Sequence, residues 1–471
     1  MATTDLATAT ATDLAALIAK RGASPVEVTE AVLARIARGE PQLNAFVALD
    51  AERARAAARA AEAALTAGQA LGPLHGVPVT IKDMQAVEGL PTRRGSRLSD
   101  PAPAKADAPL VARLRAAGAI ILGKTTTTEM GWTAVSHNPL TGATHNPWVH
   151  GTTSGGSSSG AAALCGAGCG PLHLGTDGAG SIRLPAHFCG VVGFKPTYGR
   201  VPYAPHPNNG NLSHAGPLTR TVADAALMLS VMAGAHPADH TTLDGSLPAA
   251  VTPAELKSLR IAFSPDLGHA KVDPEVAAIV AGAVARLAAL GAGVEQVTPP
   301  WGPAGPELER LIWGLAMRAS LPRDAAMAAE MDPGLVACTR AYEGLSFMEA
   351  HTTTGRRFAY AAAVNGWFGE AGFDLLATPA ASVAAFPVGR QRPAHWEQHD
   401  WDWLTWAEFS YPFNLSHGPA ISIPVGFTAA GLPVGLQLAG PRLADVAVLR
   451  AAAAYLAAHP QTRSFAPLPG A

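Results

Sequence analysis

Residues 150–200 constrain this chain most. They carry 13 of the 48 Gly in the 471-residue sequence, and Gly lets a backbone turn inward and come close to other groups. Two Ser-bearing turns stand out, Gly155-Gly156-Ser157-Ser158-Ser159-Gly160 and Gly178-Ala179-Gly180-Ser181-Ile182-Arg183. Between them the pattern predicts a small-residue helix over 161–168 and a short strand over 172–175. A strand feeding a Gly-rich turn that ends in Ser suits a nucleophile, with backbone amides as a nest for a developing oxyanion. A Gly-rich structural loop with exposed hydroxyls fits the same residues, and composition alone does not choose.

The length allows one large core or two domains. Hydrophobic residues at 48% against 15% charged argue for a buried core and against disorder. A net charge of -2 with no basic face gives no reason to expect nucleic acid as a partner. No apolar run is long enough to span a bilayer, and the N-terminus lacks the basic and apolar regions of a secretory signal. No membrane association is therefore expected, and a cytoplasmic location is. Four Cys make no disulfide framework. Cys165, Cys169 and His173 fall at four-residue intervals, but Gly170-Pro171 takes His173 off the helix face. Without a fourth ligand they read as packing residues, and neither a metal nor a cofactor is expected.

Along the chain, Ser24-Pro25-Val26-Glu27 is a helix start with a Ser cap, Pro in the first turn and Glu three residues on. A second helix covers 51–65, so residues 1–66 read as a helical segment packing on a core of 67–471. Val77, Val79 and Ile81 then alternate with Pro78, Thr80 and Lys82, the period of a strand. Lys82 thus leaves the apolar face. Such a Lys usually snorkels to solvent; if buried, its pKa falls and its amine can act as a base. Both readings stay open at this point. Gly118 and Thr125 bracket a G-x-x-x-x-G-K-T pattern, but the intervening Ala-Ile-Ile-Leu reads as a strand and no helix opens after it. A phosphate loop, and with it a nucleotide triphosphatase, is the remote alternative. Gly156 to Gly160 satisfies G-x-S-x-G without the preceding strand a nucleophile elbow needs. Residues 305–370 read as a mostly helical excursion able to roof a pocket, and Trp396, Trp401, Trp403 and Trp406 as an aromatic pocket wall or apolar interface. Alternating helices and strands argue for a single α/β domain with helices over a mixed sheet.

The segments GVPVTIKD, SGGSSSGAAA, GTDGAGSIRLPAHFCGVVGFKPTYGRV and NLSHGPAISIP closely resemble the amidase signature family, in the right order over most of the chain and most weakly at 235–410. The resemblance implies that family's fold, a central mixed twisted β-sheet covered by helices on both faces. It implies hydrolysis of amides, and in some members of esters or carbamates (urethanes), through an acyl-enzyme on a Ser–cis-Ser–Lys triad. Carried over residue by residue, Ser181 is the nucleophile, Ser157 the bridging Ser and Lys82 the base. The amides of Gly178, Ala179, Gly180 and Ser181 are the oxyanion hole. Ser158, Asp177 and Arg183 brace these loops, and Met130, Gly131 and Trp132 are expected to bind substrate. A small-molecule amide, carbamate or ester is the implied partner, and a homodimer the implied assembly option. No His is required, so His187, His214 and His417 receive no role. Three positions depart from the pattern. Ala179 and Ser159 stand where Gly is commoner. Leu184 stands where the A-type chains of tRNA-dependent amidotransferases usually carry Gln, which weakens the alternative reading as the catalytic A-type chain of a glutamyl-tRNA amidotransferase.

Overall fold

A computed structural model describes residues 5–468. Its first strands are β1 (Phe46–Leu49), β2 (Pro78–Lys82), β3 (Ile120–Thr125), the short hairpin β4 (His137–Asn138) and β5 (Gly142–Ala143), and β6 (Leu172–Asp177). They continue with β7 (Val192–Lys195), β8 (His214–Thr219), β9 (Arg260–Phe263) and β10 (Gly293–Gln296). The last are β11 (Leu375–Pro379), β12 (Ala420–Phe427) and β13 (Pro433–Ala439). Apart from the hairpin, all join one 11-stranded sheet in the order β1-β3-β2-β6-β8-β7-β12-β13-β11-β9-β10. The sheet is mixed: β3-β2-β6 and β11-β9-β10 run parallel, while β6-β8-β7-β12-β13-β11 are antiparallel neighbours.

Strand alternation sorts the core to the two faces of this sheet. Val79 and Ile81 of β2, Ile121 of β3, and Leu172 and Leu174 of β6 join one apolar cluster, together with the helices Val222–Met232, Pro274–Ala289 and Asp445–Ala458. Ile120 and Leu122 of β3 face the opposite way, under the helices Pro25–Leu43, Ala51–Thr66 and Ser159–Gly166. Lys82 therefore shares its face with Thr80, whose hydroxyl lies 2.9 Å from His173 Nδ1. The single α/β domain with helices on both faces is the architecture observed.

Several local expectations are met at the residue level. Ser24 and Glu27 form a reciprocal capping box on the helix Pro25–Leu43, and a second box closes Ser346 and Glu349 on Phe347–Ala371. Four helices fall in the 305–370 region: Gly305–Arg318, Ala325–Ala328, Pro333–Arg340 and Phe347–Ala371.

The structure also departs from the sequence reading. The 1–66 segment, whose residues 1–4 lie outside the described residues, is not purely helical: β1 pairs antiparallel with β3 and forms a sheet edge. Four residues long and bulged in register, β1 shows too little alternation to be read as a strand. The 118–125 pattern is a turn running into β3, and no α-helix opens directly after Thr125; a single 3₁₀ turn follows at Glu129–Gly131. Lys124 is buried there, 2.8 Å from Asp83, so the phosphate-loop alternative has neither its helix nor a free Lys. His173 is engaged by Thr80 and the Gly170 carbonyl, away from any Cys-based ligand set.

Candidate active site

The two Ser turns and Lys82 converge on the face of the sheet opposite the Val79 and Ile81 cluster. Lys82 is the last residue of β2, and its side chain is 0% exposed, so it does not snorkel. Its Nζ lies 2.7 Å from Ser157 Oγ, 2.9 Å from Thr176 Oγ1 and 3.3 Å from the Thr176 carbonyl. Burial pulls its pKa well below the usual Lys range; the negative charge of Asp177 opposes this and loses. Lys82 is thus an amine held toward its neutral form against a hydroxyl.

The Gly156–Ser157 peptide is cis. Ser158 then opens the helix Ser159–Gly166. Its N–H donates to the Ser181 carbonyl at 3.2 Å, which ties the first Ser turn to the second. Its hydroxyl lies 3.2 Å from both the carbonyl and the N–H of Thr176. The second turn follows β6 directly and leads into the helix Arg183–Cys189. Gly180 takes φ +114°, and a Cβ there would lie 2.5 Å from Ser410 Oγ; only Gly fits. Ser157 and Ser181 are each 3% exposed.

Asp177 and Arg183 hold this turn from beneath. Arg183 donates from Nε to Asp177 Oδ2 at 3.0 Å and from Nη2 to Oδ1 at 2.9 Å, and both side chains are fully buried. Its remaining donors reach Ser410 O, Gln437 Oε1 and Asn414 Oδ1. Burial would push the Asp177 carboxyl up, but the adjacent Arg183 guanidinium outweighs it and holds the group far below the usual carboxylate range. The Gly180 N–H is committed to Asp177 Oδ1 at 2.7 Å, so one of the four amides assigned to the oxyanion hole is occupied. Among the described residues, the N–H groups of Gly178, Ala179 and Ser181 meet no protein acceptor.

The three expected substrate-binding residues separate. Met130 lines a cavity of about 420 Å³ together with Met84, Leu98, Met331, Tyr203 and Asn208. Gly131 adjoins Ser157: a Cβ on it would lie 3.3 Å from Ser157 Oγ and 3.8 Å from the Met84 methyl. Met84 thus lies between Gly131 and the cavity, and neither Ser157 nor Ser181 is among the residues that line it. Trp132 is fully buried behind the wall, and its carbonyl accepts the indole N–H of Trp313 at 2.9 Å and of Trp403 at 2.8 Å. Trp403 is accordingly core behind the site: it packs edge-on to Trp313, whose ring also faces Gly178, whereas Trp396 turns away to Asp273 and Lys271.

Burial pulls the imidazoles of His173, His187 and the half-buried His417 down to about 3, about 4 and about 3, and that of His214 well below its ordinary value. His187 bridges the Val383 carbonyl and the Gly435 N–H, a structural task. Sequence reasoning missed Thr176, Asn414, Ser410 and Met84. Asn414 sits at the head of the NLSHGPAISIP segment, which was the available signal; Thr176 is one residue before Asp177 and carried none.

The amidase family model matches residues 27–449. An acylamidase of Rhodococcus erythropolis is 40% identical over 466 residues, covering 96% of this chain and 95% of that protein. The A-type chain of the glutamyl-tRNA(Gln) amidotransferase of Acidothermus cellulolyticus is 37% identical over 487 aligned positions, 97% of this chain and 95% of its own. The crystal structure of a bacterial aryl acylamidase of the amidase signature family superposes with a TM-score of 0.87 at 28% identity, covering 97% of each chain. With its sheet order, its paired Ser turns and a family match running over most of its length, the chain belongs to the amidase signature family of amide-hydrolysing enzymes.

Proposed function

We propose that the chain hydrolyses carboxamides bearing an apolar or aryl group, through an acyl-enzyme on Ser181 with Lys82 as base and Ser157 as relay. The observation that carries this reading is the 2.7 Å approach of a fully buried Lys82 Nζ to Ser157 Oγ. A Ser hydroxyl is a weak nucleophile and needs a base within hydrogen-bond reach. A neutral amine has two N–H donors and one lone pair. The Thr176 carbonyl and hydroxyl oxygens take the two N–H groups, which leaves the lone pair for the Ser157 proton. Ser157 in turn accepts the proton of Ser181 as that oxygen attacks the substrate carbonyl. The tetrahedral oxyanion is received by the open amides of Gly178, Ala179 and Ser181. Ser157 then returns a proton to the leaving amine, and water repeats the cycle on the acyl ester.

The Met84, Met130, Leu98 and Met331 lining of the cavity supports the apolar preference, because thioether side chains adapt to flat or flexible groups. Carbamates and esters undergo the same attack and fall within the proposal. The acylamidase and the aryl acylamidase support this direction by likeness, while the amidotransferase relative supports a rival reading. Steady-state kinetics on a panel of aryl anilides, aryl carbamates, short aliphatic amides and glutamine separate the two. The proposal expects the largest kcat/KM on aryl substrates; faster turnover of short amides would refute the apolar preference, and turnover confined to glutamine would favour the rival.

A further inference from the structure

Outside the Lys82, Ser157 and Ser181 centre, one group of side chains among the described residues has the donor set of a metal site. His206, Asp239 and His240 each offer one ligand atom, and these three atoms lie within 4.8 Å of one another. Asp239 is set in place by its neighbours. Its Oδ2 accepts the Tyr203 N–H at 2.9 Å, and its Oδ1 accepts the Thr241 N–H at 3.0 Å and hydroxyl at 2.6 Å. The two imidazoles are exposed and can rotate without disturbing the core.

An ion pair between His206 and Asp239, at 3.7 Å, would explain two of the three residues. It leaves out His240, whose ring approaches that of His206 to 6.0 Å so that both imidazoles converge on one oriented carboxylate. Two His nitrogens and one carboxylate, with the remaining positions open to water, suit Zn²⁺ and neighbouring divalent transition ions. Hydrogen bonds that fix the orientation of a ligand carboxylate belong to such sites.

The position matters as much as the donors. Tyr203, Pro205, His206, Pro207 and Asn208 form one wall of the cavity that Met84 and Met130 also line. Asp239 and His240 belong to the separate turn after the helix Val222–Met232. A metal held by all three would fasten that wall to that turn.

We propose that His206, Asp239 and His240 bind a divalent transition metal such as Zn²⁺, and that the ion fastens the cavity wall at residues 203–208. The test uses the untagged full chain, with ZnCl₂ as the probe. Calorimetric titration should show saturable uptake of one Zn²⁺, weakened about tenfold or more in His206→Ala and in His240→Ala and abolished in the double variant. Hydrogen exchange over 203–208 should slow on adding Zn²⁺ to the wild type and not to the double variant. Both His side chains are exposed, so the metal-free variants should melt with the wild type, which checks their fold. No saturable uptake by the wild type, equal uptake by the double variant, or unchanged exchange over 203–208 at Zn²⁺ saturation would overturn the proposal. None of these measurements uses a substrate, so they stand or fall apart from the hydrolase reading.

Discussion

Replacing Arg183 by Met keeps most of the side-chain volume and removes the charge beneath the Ser181 turn. Arg183 makes five side-chain hydrogen bonds, two to Asp177 and one each to Ser410 O, Gln437 Oε1 and Asn414 Oδ1. Its loss strands a fully buried carboxylate, which costs about 3–5 kcal/mol in such settings. Asp177 keeps four neutral donors, from Gly180 N, Ile182 N, Asn414 Nδ2 and, at 3.5 Å, the backbone N–H of Arg183, which favours the lower end. The three orphaned acceptors add about 1 kcal/mol each at most sites. A total of about 6 kcal/mol is expected at neutral pH, on the order of 10⁴-fold in the folding equilibrium. The pH dependence follows from linkage. In the wild type the depressed Asp177 pKa gives stability that is present above the unfolded value and lost only as pH falls through the folded one. In Arg183→Met the largest effect opposing burial is gone, and burial then raises the Asp177 pKa above the unfolded value of about 3.9. The deficit should then be full near pH 8 and shrink toward pH 4. Urea unfolding followed by Trp fluorescence, with refolding checked at each pH, reads both quantities. A deficit below about 1 kcal/mol, or one that does not change with pH, would refute the account of a charge held by its partner.

Three further outcomes are expected. Because burial lowers the Lys82 pKa, kcat/KM should be present above that pKa and fall away below it, and Lys82→Arg, which cannot deprotonate, should lose about 10²–10⁴-fold at every pH; an unchanged pH profile in Lys82→Arg would contradict a neutral base. Gly180→Ala meets a backbone at φ +114° and contacts of 2.5 Å to Ser410 Oγ and 2.7 Å to Leu184 Cδ1, so it should cost about 1–3 kcal/mol and most of the activity; thermal melts and turnover at wild-type values would show that the turn tolerates a side chain. Glu309 is fully buried with neither carboxyl oxygen partnered, and burial pushes it up to about 8. A carboxyl raised in the fold loses stability as pH climbs from its unfolded pKa to its folded one, so Glu309→Gln should match the wild type near pH 5 and exceed it increasingly toward pH 8, and a pH-independent difference in denaturation would rule that out.

How far the sequence could be read varied with the range over which each feature is encoded. Ser24, Pro25 and Glu27 encode a cap locally, and it forms as read. The alternation of Val79 and Ile81 with Thr80 and Lys82 correctly sends Lys82 to the other face. It could not say whether that face is wet, because that depends on Thr176 from β6 and on the helix Ser159–Gly166 above it. The central strands β6, β7, β8 and β13 are buried on both faces, so their pairing leaves no period to read. The bracing of Asp177 by Arg183 is a near-neighbour pairing, whereas Ser410, Asn414 and Gln437 reach Arg183 across more than 220 residues. The Trp-rich stretch was readable as apolar, but the place of Trp403 behind the site rests on the Trp132 carbonyl, which no side-chain pattern records. The convergence of His206 with Asp239 and His240 depends in the same way on a turn brought back over the cavity wall.

The central claim is that Ser181 is the nucleophile and that Lys82, through Ser157, activates it. The most direct measurement is intact-mass analysis of the chain treated with a fluorophosphonate, comparing the wild type with Ser181→Ala and Lys82→Ala. The account predicts a single adduct on the wild type, none on Ser181→Ala, and one on Lys82→Ala that forms about 10²-fold or more slowly. An adduct that persists in Ser181→Ala would contradict it and move the nucleophile to another residue, with Ser158 in the first turn the next to test.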